Sequence, residues 1–119
     1  MARVPIVRVG RVLISTVLDD LRDEDALQLQ EELMNSIEQS DARGVLLDVS
    51  TVETVDTFLG RLLADIAAGA RLMGAHTVVA GLQPAVAVTL VEMGLEFKRV
   101  HVALNAEKGW GLLRRLMAS

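Results

Sequence analysis

The residues most able to do chemistry in this sequence lie between Asp48 and Thr57, a segment that holds four hydroxyls and three acids. The apolar run Val45–Leu47 before it predicts a parallel strand that is covered on both faces. Ligands of open α/β sheets bind beside the carboxyl ends of such strands. The segment is therefore the first candidate for a functional site.

One hypothesis for this segment is that Asp48 accepts a phosphoryl group, as in a metal-dependent receiver domain. That chemistry needs a metal held by a pair of acids directly after the first strand. Gly10-Arg11 occupies that position here, and the acids Asp19 and Asp20 follow the second predicted strand instead. The spacing therefore disfavours the receiver hypothesis.

A second hypothesis places the chemistry at the hydroxyl of Thr57, in the first turn of a predicted helix. A phosphate at a helix start meets unpaired backbone N–H groups and the positive end of the helix dipole. It would also deepen the negative potential that Glu53 and Asp56 already create. The alternative is that Thr57, with Asp56, only caps the helix. The residues alone favour capping and leave both explanations open.

The sequence gives little support for a metal site or a nucleotide-binding site. The chain has no cysteine and only His76 and His101 as imidazoles, without the spacing of a zinc site. Its glycines occur without a dinucleotide-binding or P-loop pattern. The acids between positions 19 and 25 are explained by a solvated, acidic first turn of a helix rather than by a cation site. We therefore expect no metal, no cofactor and no enzymatic activity.

The apolar pattern predicts nine elements that position these residues. In chain order they are a strand Val4–Val9, a strand Val12–Thr16, a helix Leu21–Ser40, a strand Val45–Val49, a helix Asp56–Met73, a strand Thr77–Ala80, a helix Pro84–Glu92, a strand Arg99–Leu104 and a helix capped by Asn105. This order predicts an α/β fold with a mixed, mainly parallel sheet of about five strands and four helices.

Composition limits the class of protein. The chain has 119 residues, of which 51% are hydrophobic and 24% charged, as in a single globular domain spanning residues 1–119. The net charge of -4, the scattered Lys and Arg residues and the 3% of aromatic residues argue against a nucleic-acid partner. The apolar runs are far shorter than the roughly 20 residues that cross a membrane. The amino-terminal residues lack the features of a secretory signal, so we expect a cytoplasmic protein.

Four segments together resemble the STAS domains of stressosome proteins. They are Val45–Ser50, Val55–Phe58, Leu72–Ala75 and, most specifically, Gly81-Leu82-Gln83-Pro84-Ala85-Val86-Ala87-Val88-Thr89-Leu90. The last segment points to the small, single-domain RsbS-type antagonist. The resemblance implies a STAS fold and a scaffold rather than an enzyme.

The resemblance also implies a mechanism. Such proteins assemble with each other and with sensor-bearing STAS paralogues into a large cytoplasmic complex that sequesters a serine/threonine switch kinase. Phosphorylation at the position of Thr57 releases the kinase, although this subtype usually has Ser there. The surface expected to dock the kinase surrounds this residue and comprises Asp48, Ser50, Thr51, Glu53, Asp56 and Phe58.

Two further expectations come with the resemblance. Sensor-bearing paralogues carry a second phosphorylatable threonine, for which Thr89 is the nearest candidate, and we expect Thr89 to be partly buried and structural. The alternative function is that of a free anti-anti-sigma factor that binds an anti-sigma kinase. The two functions differ in whether the chain joins a large assembly.

Overall fold

The computed structural model describes residues 4–19, 21–94 and 100–118. These residues form nine elements. They are β1 (Ile6–Val9), β2 (Val12–Thr16), α1 (Asp23–Ser40), β3 (Gly44–Asp48), α2 (Thr57–Leu72), β4 (His76–Ala80), α3 (Pro84–Glu92), β5 (Val100–Ala103) and α4 (Ala106–Ala118).

The strands form one sheet in the order β1-β2-β3-β4-β5. The β1–β2 pair is antiparallel and the other three pairs are parallel. The predicted fold class, a mixed and mainly parallel five-stranded sheet with four helices, is confirmed. Because β3 lies in the middle, its last residue Asp48 pairs with Thr16 of β2 and Ala80 of β4. The loop after β3 therefore starts at the centre of the sheet edge.

Helices cover both faces of the sheet, as the apolar run in β3 requires. Val45 and Leu47 lie in the larger core cluster with residues of α1, α2 and α3. Leu46 points to the opposite face and packs with Leu113 of α4 in a smaller cluster. Side chains alternate between faces along a strand, so a strand that is apolar at successive positions needs a partner on each side.

Glycine at position 109 is explained by the approach of α4 to the sheet. A Cβ atom at Gly109 would lie 2.7 Å from Cδ1 of Leu46, which is closer than two carbon atoms can pack. The residue is buried. The glycine weakens α4 by its low helix propensity, but it lets the helix axis come close to β3 and β4.

The observed boundaries differ from the predicted ones by one or two residues. Helix α1 starts at Asp23 rather than Leu21, because the N–H of Leu21 bonds the carbonyl of Leu18 in a turn before the helix. Strand β1 starts at Ile6, after Pro5, whose carbonyl accepts a hydrogen bond from the Ser15 hydroxyl. Arg99, the predicted first residue of the last strand, lies outside the described residues.

Candidate functional site

The loop from β3 to α2 turns away from the sheet at Asp48. One carboxylate oxygen of Asp48 accepts a hydrogen bond from the backbone N–H of Ser50 at 2.9 Å. The side chain of Asp48 is half-buried, whereas Ser50 and Thr51 are exposed. The carboxylate thus shapes the turn. In this turn, Ser50 and Thr51 face solvent at the edge of the sheet.

Asp19, three residues after the end of β2, holds the middle of this loop. Its carboxylate accepts hydrogen bonds from the backbone N–H of Glu53 at 3.1 Å and of Thr54 at 3.4 Å, the first of them across 34 residues of sequence. The sequence assigned Asp19 only to a solvated acidic group. Its position shortly after β2, whose last residue Thr16 pairs with Asp48 at the same sheet edge, is the signal that could have revealed this contact.

Asp25, another member of that acidic group, is buried. Its relative exposure is only 8%, so its interpretation as a solvated acid of the first turn is wrong. It lies on the face of α1 that packs against the core, beside the buried Ala26. Asp20 lies outside the described residues.

Asp56 is the residue that caps α2. Its carboxylate accepts a hydrogen bond from the backbone N–H of Leu59 at 2.8 Å, the geometry of an N-cap. Thr57 is the first residue within the helix, and its side chain is exposed. The hypothesis that Thr57 contributes to the cap is therefore wrong. The neighbouring carboxylate alone caps the helix, which leaves the threonine hydroxyl at the surface.

A cleft lies between the start of α1 and the start of α2, beside Thr57. Its volume is about 190 Å³. The lining includes three carboxylates, of Asp19, Asp23 and Asp56, and the apolar side chains of Leu18 and Phe58. Phe58 is half-buried and packs against the larger core cluster. The surface to which Asp56 and Phe58, the two sequence neighbours of Thr57, contribute is therefore concave, acidic and partly apolar.

The loop after β4 supports the site from the other side. The Gln83 amide donates a hydrogen bond to the Ser50 carbonyl at 2.9 Å. Gly81 has a φ of +84°, and a Cβ atom there would lie 2.8 Å from Cβ of Ser50. Only glycine fits both this backbone conformation and this close approach. The Gly81–Leu90 segment, which carries the family resemblance, thus begins with residues that hold the candidate loop.

Most of the predicted docking residues come together at this edge. Ser50, Thr51, Glu53 and Asp56 are exposed, whereas Asp48 and Phe58 are half-buried and serve the turn and the core. Thr89 lies on α3, is half-buried, and donates its hydroxyl hydrogen to the Ala85 carbonyl at 3.0 Å.

Among residues 4–19, 21–94 and 100–118, no three or more histidine, cysteine, aspartate or glutamate residues form a group that could hold a metal ion. His76 and His101 lie side by side, with ring centroids 6.3 Å apart. His76 begins β4, at the opposite end of the strands from Asp48. In the same residues, no helix is both long and apolar enough to cross a membrane.

This architecture and its site correspond to a known class. The model of the STAS domain family matches residues 3–108, so the chain belongs to that family. It is a stressosome-related STAS protein, similar to the RsbS and RsbR proteins. The resemblance noted in the sequence is thereby confirmed.

Solved structures and a curated relative give the degree of similarity. A variant of RsbS from Moorella thermoacetica is 36% identical with a TM-score of 0.88, over 99% of this chain and 100% of that one. A chain in a structure of the stressosome, described as a signal integration and transduction hub, is 36% identical with a TM-score of 0.84, over 97% and 100%. RsbT co-antagonist protein RsbRA of Bacillus subtilis (strain 168) is 26% identical over 98 residues, which are 82% of this chain and 36% of RsbRA. The chain spans about a third of the length of that relative.

Proposed function

We propose that this chain is a non-enzymatic scaffold of a stressosome that sequesters a serine/threonine kinase and releases it when Thr57 is phosphorylated. The observation that carries the proposal is the placement of Thr57. It is exposed, it is the first residue of α2, and Asp56 relieves it of the capping role. Its hydroxyl can therefore be modified without the loss of a hydrogen bond on which the helix depends.

Electrostatics supplies the switch in this proposal. Asp19, Glu53 and Asp56 already make the rim of the site acidic. A phosphate group on Thr57 would add a charge of about -1.5 to -2 at neutral pH. The kinase surface binds the acidic rim of the unmodified protein. After phosphorylation it must also accommodate the dianion on Thr57, at the centre of that rim. The backbone N–H groups of the first turn and the helix dipole stabilise that dianion on the scaffold.

The relatives support the larger context of the proposal. Both 36% identical structures cover nearly the whole chain, and one of them belongs to a structure of the stressosome. The curated relative RsbRA is described as a co-antagonist of RsbT. We extend these roles to this chain, with an RsbT-type kinase and sensor-bearing STAS paralogues as its partners in a cytoplasmic complex, and with residues 1–119 acting as one STAS domain. Thr89 remains a second, less favoured candidate for modification, because its hydroxyl is engaged within α3.

Phosphopeptide mapping after incubation with the kinase and ATP tests the proposal. We expect acid-stable phosphate on Thr57, its loss in Thr57→Ala, and full labelling of Thr54→Ala, a matched control because Thr54 is an exposed threonine of the same loop. Tight kinase binding should persist in Thr57→Ala and weaken on phosphorylation. Acid-labile phosphate on Asp48 would support the receiver hypothesis instead. Equal affinity of the kinase for the modified and unmodified proteins would contradict the switch.

Assembly state separates this function from that of a free anti-anti-sigma factor. A stressosome scaffold should form particles in the megadalton range when it is mixed with a sensor-bearing paralogue. A free antagonist should remain a small species in the same mixture and should bind an anti-sigma kinase in its unphosphorylated form. Size-exclusion chromatography with light scattering measures the difference.

A further inference from the structure

Gln83 occupies the N-cap position of α3 without capping the helix. Its backbone is extended there, but its side chain accepts no hydrogen bond from the N–H groups of α3, all of whose residues are described. The next residue, Pro84, has no N–H to satisfy, which reduces what a cap can contribute. Glutamine is also not among the residues preferred as N-caps. The side-chain amide of Gln83 is therefore available for a contact elsewhere.

That contact is made to the loop between β3 and α2. The amide nitrogen of Gln83 donates a hydrogen bond to the Ser50 carbonyl at 2.9 Å, across 33 residues of sequence. On the other side of Ser50, the Asp48 carboxylate accepts the Ser50 N–H, also at 2.9 Å. Two side chains thus hold both backbone polar groups of one exposed residue. The path of the chain at Ser50 is fixed from a neighbouring loop as well as from its own.

The backbone that carries Gln83 is held on both sides. The Gln83 carbonyl accepts the N–H of Ala87 at 3.0 Å, and Pro84 restricts the backbone directly after it. Two residues before Gln83, the N–H of Gly81 bonds the Ala103 carbonyl at the end of β5 at 3.1 Å. The glutamine side chain therefore starts from a backbone that is tied to a helix and to a strand, so it can brace a second loop.

Other residues hold the later part of the loop. Asp19 accepts the N–H groups of Glu53 and Thr54, and Asp56 caps the helix on which Thr57 lies. Gln83 acts at Ser50, near the start of the loop. Loss of its hydrogen bond should therefore loosen the chain at Ser50 and Thr51 and leave the hydroxyl of Thr57 in place.

We propose that Gln83 is a positioning residue for kinase docking. Through its bond to the Ser50 carbonyl, it holds Ser50 and Thr51 in the conformation that the kinase binds. The proposal rests on the proposed function, because these two residues belong to the surface expected to dock the kinase. Gln83 need not touch the kinase itself. A loop that is ordered before binding loses less conformational entropy when its partner arrives, so it binds more tightly.

A positioning role of this kind acts on binding and not on phosphoryl transfer. A residue that contributes equally to the bound ground state and the transition state changes KM and leaves kcat unchanged. The transfer step occurs at Thr57, which α2 and its Asp56 cap position without Gln83. A residue that only stabilised the fold would lower the unfolding temperature and change neither constant of the folded protein. The split between KM and kcat therefore separates these roles.

Gln83→Met tests the proposal, because methionine has nearly the length of glutamine but no N–H donor. Titration calorimetry of the unphosphorylated scaffold with the kinase gives Kd, and phosphorylation kinetics give KM and kcat for the scaffold as substrate. We expect Kd and KM to rise about fivefold with kcat unchanged, a factor that corresponds to about 1 kcal/mol for one hydrogen bond. Gln39→Met is the matched control and should behave as the wild type does. Gln39 is an exposed glutamine in the last turn of α1, at the end of the sheet where β3 begins.

NMR of the scaffold without kinase reports on the contact directly. In Gln83→Met we expect changed backbone chemical shifts at Ser50 and Thr51, because the peptide group between them contains the carbonyl that accepts the bond. The N–H of Ser50 should exchange faster with solvent, since the turn opens more often. The shifts of Thr57 should stay as in the wild type. Thermal unfolding verifies that both variants fold.

An unchanged Kd in Gln83→Met, with normal kinase binding by the wild type, would overturn the proposal. Weaker binding without any change at Ser50 and Thr51 would also overturn it, because Gln83 would then contact the kinase directly. A lowered kcat would do the same, because the contact would then position Thr57. A wild type that does not bind the kinase overturns the proposed function, and the docking role of Gln83 with it. The behaviour of the wild type therefore tells the two failures apart.

Discussion

The separate roles of Asp56 and Thr57 yield a stability prediction that can be worked out from the structure. The Asp56 carboxylate accepts the N–H of Leu59 at 2.8 Å and lies at the positive end of α2. Loss of an N-cap of this kind costs about 1 kcal/mol. Thr57 is exposed and supplies no cap, so Thr57→Ala should change the free energy of unfolding by less than about 0.5 kcal/mol.

Urea unfolding monitored by circular dichroism measures both quantities. With a urea dependence of about 1.5 kcal/mol/M, typical of a small domain, Asp56→Ala should lower the midpoint by about 0.7 M. Thr57→Ala should shift it by less than about 0.3 M under the same slope. Asp65→Ala is the matched control, because Asp65 is an exposed aspartate in the interior of the same helix.

The separate roles of Asp56 and Thr57 are refuted if Thr57→Ala is as destabilising as Asp56→Ala, because the threonine would then support the helix. They are also refuted if Asp56→Ala and Asp65→Ala have the same small effect. In either case a change in kinase binding by Thr57→Ala could no longer be assigned to the loss of a hydroxyl alone. A neutral Thr57→Ala, in contrast, makes it a clean variant for the kinase experiments.

Three other features of the structure make measurable predictions. Asp19→Ala removes the acceptor for two loop N–H groups and should cost about 1–2 kcal/mol, with faster hydrogen exchange at Glu53 and Thr54 by mass spectrometry. Unchanged exchange would exclude the anchoring role. Gly109→Ala inserts a methyl group 2.7 Å from Leu46 and should destabilise by about 1–3 kcal/mol in thermal unfolding, despite the better helix propensity of alanine. The folded state lowers the pKa of His76, so the unfolded chain binds a proton first as the pH falls. Stability should therefore decrease below a pH of about 6.5, and His76→Gln should reduce this dependence. An identical pH profile of stability in His76→Gln would contradict the assignment of this dependence to His76.

Local patterns in the sequence were sufficient for the order of the elements and for the fold class. The alternation of β-branched runs with amphipathic segments marked all nine elements, because helix and strand periods are properties of neighbouring residues. Gly74 and Pro84 also marked helix ends, because the backbone preferences of glycine and proline are properties of single residues. The position of Thr57 at the start of α2 also followed from these signals. The cap did not, because Asp56 and Thr57 are adjacent and both are residue types that cap helices.

Contacts between distant parts of the chain were decided only by the tertiary structure. Asp19 reaches Glu53 across 34 residues, and Gly109 makes room for Leu46 across more than half of the chain. The proximity of Arg71, His101 and Arg43 to His76 likewise depends on how α2, β3, β4 and β5 pack together in space. A sequence pattern reports which residues share a face of one element. It does not report which elements lie together, because that depends on how the whole core packs.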